Sequence, residues 1–234
     1  MLASTSAGTR AAKKATKTIP IVMVDVGDPV TTKLVTNLAR PGGNVTGITN
    51  MALGLTEKRL AILKEALPGA TRIAMLSHPD NLIGPPQWRD AAAAARRLGL
   101  RLQRLDIRTR EDLPRAFQAA VNARADAVGP LADPLTTTLT RDILELAARH
   151  RLPTMMENRA QVEAGALLAY HADPRDAYHR AASYVDRILK GAKPGDLPVE
   201  QPTTFELVIN QRTAKALGLT IPPAVLLRAD AIID

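Results

Sequence analysis

TIPIVMVDVGDPVTTKLVTNLARPGGNVTG, residues Thr18–Gly47, carries the pattern that decides the fold. Ile19 to Val24 is a nearly continuous apolar run that contains a proline and is bounded by polar residues, which predicts a strand covered on both faces. Asp28-Pro29 follows it, and Val30, Leu34, Val35 and Leu38 then recur at helical spacing. Asp28 can accept orphan amide hydrogens as an N-cap. Pro29 suits the first helical position, where its missing N–H costs nothing. Arg40-Pro41-Gly42-Gly43 ends the expected helix. The stretch reads as one βα unit of a parallel sheet.

The same grammar recurs downstream. Strands are expected over Arg72–Leu76, Arg101–Leu105, Asp126–Ala132, Leu152–Met156, Gly165–Tyr170 and Phe205–Ile209. Helices are expected over Leu55–Leu67, about Pro86–Leu98, Glu111–Ala123, Leu139–Arg149, Arg175–Leu189 and Thr213–Leu217. A short helix runs through Ala11, Ala12 and Ala15, Asn44–Asn50 reads as a crossing strand or linker, and Ile221–Asp234 reads as a tail. Strands alternating with helices imply an α/β fold with right-handed crossovers.

Composition bounds the function. A chain of 234 residues, 46% hydrophobic and 23% charged, reads as globular, with a core large enough for one large or two small domains. Aromatics are only 3%, so stacking surfaces for bases or sugars are scarce. The net charge of +8 is spread along the chain, with brief clusters such as Lys13-Lys14 and Arg96-Arg97, and reads as solvated helix faces in preference to a nucleic-acid patch. With no cysteine, disulfides, thiolate catalysis and thiolate metal sites are excluded. No apolar run reaches transmembrane length, so no membrane insertion is expected. Residues 1–9 lack the charged start and apolar centre of a signal peptide, and with Met1 as the start the expectation is a cytoplasmic chain.

The repeated chemical device is strand, Asp-Pro, helix: Asp28-Pro29, Asp133-Pro134 and Asp173-Pro174. One reading is three N-caps, each contributing about 1 kcal/mol. The other follows from topology, since ligands of open α/β sheets bind beyond the carboxyl ends of strands, beside helix N-termini. Ser77, Asp80 and Glu157 stand at strand ends too. Carboxylates there suit a ligand ammonium, and free helix amides suit a ligand carboxylate. Enzyme signals are weak: GxxxxGK[ST], GxGxxG and GxSxG are absent, and His78, His150, His171 and His179 lack metal-ligand spacing. No cofactor and no metal are expected.

The runs TIPIVMVDVGDPV, LARPGGNVTG, LADPLTTT, ELAARHRLP, VEAGALLAY, DRILKGAKPGDLPVEQPTTFELVINQRTAKALGL and LLRADAIID together resemble one family. It is the family of ABC transporter substrate-binding proteins that includes tryptophan- and tyrosine-binding members. The resemblance covers nearly the whole chain. It implies a periplasmic-binding-protein type I fold: two parallel-sheet lobes joined by three crossings, with ligand in the hinge cleft and no reaction catalysed. The crossings would fall near Asn44–Thr49, Gly165–His171 and Pro198–Asn210. The implied division is residues 1–47 as the remainder of lobe 1, 48–164 as lobe 2, 165–197 as the return to lobe 1, and 198–234 as a crossing strand with the C-terminal helix and tail. The implied ligand-binding residues are Ser4, Thr5, Ser6, Asp28, Ser77, Asp80, Asn81, Asp133, Glu157, Tyr170 and Asp173.

The implied partners are a small polar organic ligand, with amino acids among the candidates, and ABC permease subunits if the chain is exported. The implied location is periplasmic or membrane-anchored outside the cytoplasm. Family members carry a leader and about three more βα units of roughly 30 residues each before the segment matching Leu2–Ala15. Lobe 1 is therefore expected to be truncated at its N-terminus, and upstream in-frame DNA is expected to encode the missing part. A cytosolic small-molecule sensor of the same fold and a nonfunctional fragment are the alternatives.

Overall fold

The computed structural model describes residues 1–234, those at 52 and 53 by backbone alone. The chain opens with β1 (Leu2–Ser4), α1 (Thr5–Ala15), β2 (Ile21–Val26) and β3 (Val45–Thr49). There follow α2 (Ala52–Ala66), β4 (Arg72–Ser77), α3 (Gly84–Arg97), β5 (Arg101–Asp106), α4 (Leu113–Asn122) and β6 (Ala127–Pro130). Next come α5 (Pro134–Thr138), α6 (Thr140–Arg149), β7 (Met155–Met156), α7 (Arg159–Glu163) and β8 (Leu168–Ala172). The last elements are α8 (Pro174–Leu189), β9 (Phe205–Asn210), α9 (Gln211–Leu217), α10 (Pro223–Leu226) and β10 (Ala231–Ile233). Two compact units result: residues 1–53 with 172–205, and residues 54–171 with 206–234. The chain passes from one unit to the other three times, at 53/54, 171/172 and 205/206.

The first unit holds a parallel sheet of order β1-β2-β3. Its central strand β2 is buried on both faces, as its apolar run requires. Ile21, Met23 and Val26 pack with Ala3, Leu34, Val35, Val45 and Val199. Val22 and Val24 point the other way, into Ile48, Leu197 and the α8 residues Ala181 and Tyr184. Toward its carboxyl end β2 bulges. Met23 pairs with Gly47 and Val26 with Thr49, so Val24 and Asp25 together oppose Ile48 alone. Asp25 takes the extra position with a left-handed backbone, φ 57°. Gly47 makes the pairing possible: a Cβ there would lie 2.1 Å from the Met23 carbonyl oxygen.

The expected helix after Asp28 does not form; residues 29–40 are turns and bends. Five of the seven residues from Val30 to Thr36 are β-branched, which weakens any helix. Lys33 turns left-handed at φ 58°, and the Leu34 and Val35 amides both converge on the Pro29 carbonyl. The Lys13 ammonium takes the Lys33 and Leu34 carbonyls, at 2.9 and 2.8 Å. Asn44–Asn50, expected as a crossing strand or linker, contains the strand β3.

In the second unit β5-β4-β6 form one parallel sheet and β10-β9-β8-β7 another. A bridge between Val128 and Thr154 links β6 to the residues before β7. One apolar core gathers Leu60, Leu63, Ile73, Leu168 and Ile209, with the partly buried Trp88 packed against it. A second gathers Leu76, Phe117, Ile143, Met156 and Val208. The expected tail is corrected too: Ala231–Ile233 pair in parallel with Val208–Asn210, and the Asp230 carboxylate accepts the Leu207 amide at 2.7 Å. Alanine-rich and proline-rich spacing conceals that strand, which is only three residues long.

Candidate functional site

In the first unit three neighbouring parallel strands end together, and each end carries a non-glycine residue in the left-handed region. These are Thr5 (φ 64°) after β1, Asp25 (φ 57°) in the bulge of β2 and Met51 (φ 54°) just past β3. Such backbones cost about 1–3 kcal/mol each and persist where the surroundings impose them, commonly at ligand sites. Asp25 is exposed as a residue, and its carboxylate, partly withdrawn from water, accepts from Asn50 Nδ2 at 2.8 Å. Partial desolvation raises its pKa, with the Asn50 hydrogen bond acting against the rise. Sequence reasoning selected Asp28 and passed over Asp25. The available signal was an aspartate interrupting an otherwise apolar strand.

The sequence-selected residues of this unit fall close to those strand ends. Ser4 ends β1 and occupies the N-cap position of α1 without a side-chain capping bond. Thr5 follows, its Oγ1 accepting the Gly8 amide at 3.3 Å, and Ser6 is half-buried beside it. Asp28 caps a turn instead of a helix: Oδ1 accepts the Val30 and Thr31 amides at 2.9 and 3.1 Å, and Oδ2 accepts the Thr31 hydroxyl at 2.5 Å. Asp173 does cap a helix, accepting the Arg175 amide at 2.9 Å. The Arg175 guanidinium also grips that carboxylate, at 3.1 Å to each oxygen. Asp28 and Asp173 are thus engaged locally, whereas Asp25 is held up by one amide.

In the second unit Asn81 and Asp133 come together beyond the ends of β4 and β6, and Ser77 is the last residue of β4. Ser77 is buried, and the Asp133 side chain is only 7% exposed. Asp133 caps α5 through the Leu135 amide at 2.7 Å and lies 3.8 Å from His78 Nδ1. Burial raises its pKa; the Leu135 amide, His78 and Asn81 act in the opposite direction. Asn81 donates to the Ala132 carbonyl at 2.9 Å, and Gln87 clasps Ala132 from both sides, at 3.1 and 2.7 Å. His78 and Gln87 are additions that sequence reasoning did not select. Asp80 stays outside the group, exposed and 3.5 Å from Arg108.

Glu157 and Tyr170 belong to a different arrangement, built on Arg59 of α2. The Arg59 guanidinium is buried, pairs with Glu157 at 3.0 Å and donates from Nε to the Tyr170 carbonyl at 2.8 Å. Desolvation lowers the Arg59 pKa, and the Glu157 charge and hydrogen bond resist that. The Tyr170 ring packs against the larger core. Burial raises its pKa, the Asp230 charge adds to this, and Arg228 opposes it. Beside the pair, Arg59, Leu63, Ile73, Met75 and Pro130 line a recess with room for about one water molecule, too small for an organic ligand. Arg59 went unnoticed in sequence because its partners lie 98 and 111 residues away. Among the described residues no group of three His, Asp or Glu is placed to hold a metal ion, and no helix is long and apolar enough to cross a membrane.

The family model for ABC transporter substrate binding proteins matches residues 1–233. A tyrosine-binding protein of Clostridioides difficile is 29% identical over 210 residues, which is 90% of this chain. The chain spans 60% of the length of that curated relative. Two solved structures superpose over 99% of the chain. One is a conserved domain protein from Vibrio cholerae, at 31% identity and TM-score 0.92, covered over 77% of its length. The other is an ABC domain from Streptococcus pneumonia in complex with L-Trp, at 26% identity and TM-score 0.90, covered over 80%.

Proposed function

Because the chain belongs to the ABC transporter substrate-binding protein family, we propose that it binds a free amino acid with an aromatic side chain and presents it to an ABC permease outside the cytoplasm. The family is one of substrate-binding proteins, not enzymes. The observation that carries the ligand assignment is the Asp25 bulge: one partly desolvated carboxylate at a strand end, on a strained backbone and steadied by Asn50. A carboxylate so placed meets an α-ammonium group. The first turn of α1, at Ser4, Thr5 and Ser6, offers backbone amides of a helix start, which suit an α-carboxylate. Ser77, Asn81 and Asp133 are the second unit's own polar contribution to solute recognition. The aromatic side chain is drawn from the relatives, one named for tyrosine and one crystallised with L-Trp.

A thermal-shift panel of amino acids, sugars and nucleosides tests the reading, with mass spectrometry of the recovered ligand. A ligand at one hundred times its Kd adds about 2.7 kcal/mol of stability. L-Tyr or L-Trp is expected to raise the melting temperature and to be recovered unchanged. Stabilisation by a sugar or nucleoside, with no response to amino acids, would sink the amino-acid assignment.

A further inference from the structure

The driest ion pairs of the second unit stand where the chain enters and leaves it, at 53/54, 171/172 and 205/206. Among the described residues, Arg59–Glu157 and His171–Glu206 are the two pairs in which both side chains are nearly buried, 10% and 11% exposed in the first and 6% and 13% in the second. Pairs such as Arg97–Glu57 or Lys190–Asp186 are more than half exposed and contribute little. Arg59 lies on α2, which carries the first passage, and its Nε holds the Tyr170 carbonyl at 2.8 Å. His171 is the last residue of the second unit before the second passage, and Glu206 is the first after the third. His171 Nε2 lies 3.3 Å from Glu206 Oε2, and Glu206 Oε1 accepts from Arg159 Nη1 at 2.7 Å. Arg159 is itself steadied by Glu163 at 2.9 Å. Glu157 and Arg159 flank Asn158, the N-cap of α7, so one short segment holds all three exits.

The first unit grips the same passages from its own side. The Asp173 amide donates to the Thr204 carbonyl at 3.2 Å. Glu200 joins two further elements. Its amide donates to the Gly47 carbonyl at 2.9 Å, its carbonyl accepts the Thr49 amide at 3.0 Å, and its carboxylate accepts from Arg180 Nε of α8 at 2.8 Å. On the second and third passages the two grips nearly meet in sequence. Ala172 alone stands between His171 and Asp173, and Phe205 alone between Thr204 and Glu206. Ala172 ends β8 and Phe205 begins β9, and element-terminal positions of this kind are the ones that absorb backbone rotation in hinges.

We propose that His171, Glu206 and Arg159 are positioning residues that confine movement between the units to a pivot at Ala172 and Phe205. The use of that movement rests on the solute-binding reading above; the pivot itself is tested without ligand. Losing the Glu206 carboxylate releases His171 and Arg159 together, and the bendable length on each strand grows beyond a single residue. The units then sample a wider range of arrangements. A smaller fraction of molecules stands ready for a solute, and apparent affinity falls by that fraction.

Spin labels attached through Ala182→Cys on α8 and Arg89→Cys on α3, both exposed positions, place one probe in each unit of a chain with no other cysteine. Double electron–electron resonance on the ligand-free full chain is expected to give a distance distribution about twice as wide for Glu206→Gln as for the parent. His171→Gln, which keeps the bond from Arg159 to Glu206, should broaden it as well and serves if Glu206→Gln does not fold. Phe117→Leu lowers stability from the core of the same unit and should leave the width unchanged. Arg141→Gln, which breaks the exposed pair with Glu145, should leave it unchanged too. Parental width in the folded Glu206→Gln and His171→Gln chains would overturn the proposal. Equal broadening in Phe117→Leu would do the same, because lost stability would then explain every case. With L-Trp or L-Tyr added, the affinity of Glu206→Gln should fall about tenfold. If the labelled parent responds to neither amino acid, the amino-acid reading fails, while the ligand-free widths still decide the pivot.

Discussion

Asp25 combines a left-handed backbone with a carboxylate partly withdrawn from water, and the second property fixes a pH signature. Its folded pKa lies above the ordinary value of 3.8, chiefly by desolvation. Below both values the group is protonated in the folded and unfolded chain, and it contributes nothing. As pH rises through that window the unfolded chain ionises first, so the folded state loses stability and stays penalised above it. Asp25→Asn should therefore melt higher than the parent at neutral pH, with the gap closing toward pH 3, while its response to L-Tyr or L-Trp disappears. A second prediction concerns the buried pair. Glu157→Gln leaves the Arg59 guanidinium without its counter-charge and should cost about 3–5 kcal/mol in urea unfolding, whereas Arg59→Met with Glu157→Leu should cost much less. The caps at Asp133 and Asp173 were legible in sequence because an Asp-Pro cap is a contact across two residues. Asp25 and Arg59 were not, because a bulge and a pairing across about a hundred residues leave no local spacing to read.

Elements show where local grammar holds and where tertiary contacts replace it. The strand β2 was readable because burial on both faces forces a continuous apolar run. The helix expected after it was not there, although its apolar spacing was helical. Five β-branched residues, a left-handed Lys33 and a lysine arriving from 20 residues upstream decide for a turn, and only the first of these is visible locally. Lys33→Gly should stabilise that turn by about 1 kcal/mol, since glycine bears φ 58° without steric penalty. The bulge of β2 depends on the facing strand. Gly47→Ala would drive a methyl group into the Met23 backbone and should lower the melting temperature sharply or prevent the first unit from folding, as circular dichroism would read. The strand β10 shows the opposite limit, since three residues with no flanking signature join a sheet through pairing with β9.

At the scale of the whole molecule, alternating strands and helices give an α/β fold of the periplasmic-binding type I class, as family membership and the superposed structures agree. That level was legible because it rests on the order and period of many elements, so a misread helix or an unread strand does not disturb it. Each unit has its own apolar clusters, and neither is continuous in sequence. The lone tryptophan of the chain, Trp88, packs against the core of the second unit, and the first unit has none. Indole emission is therefore a private channel for one half of the protein. In a urea titration it should follow the second unit alone, while circular dichroism averages both. Coincident curves would mean that the halves melt as one body, and separated curves would give the first unit's stability by difference, with no label added. With no cysteine in the chain, a single introduced thiol in the first unit would supply a second colour without background.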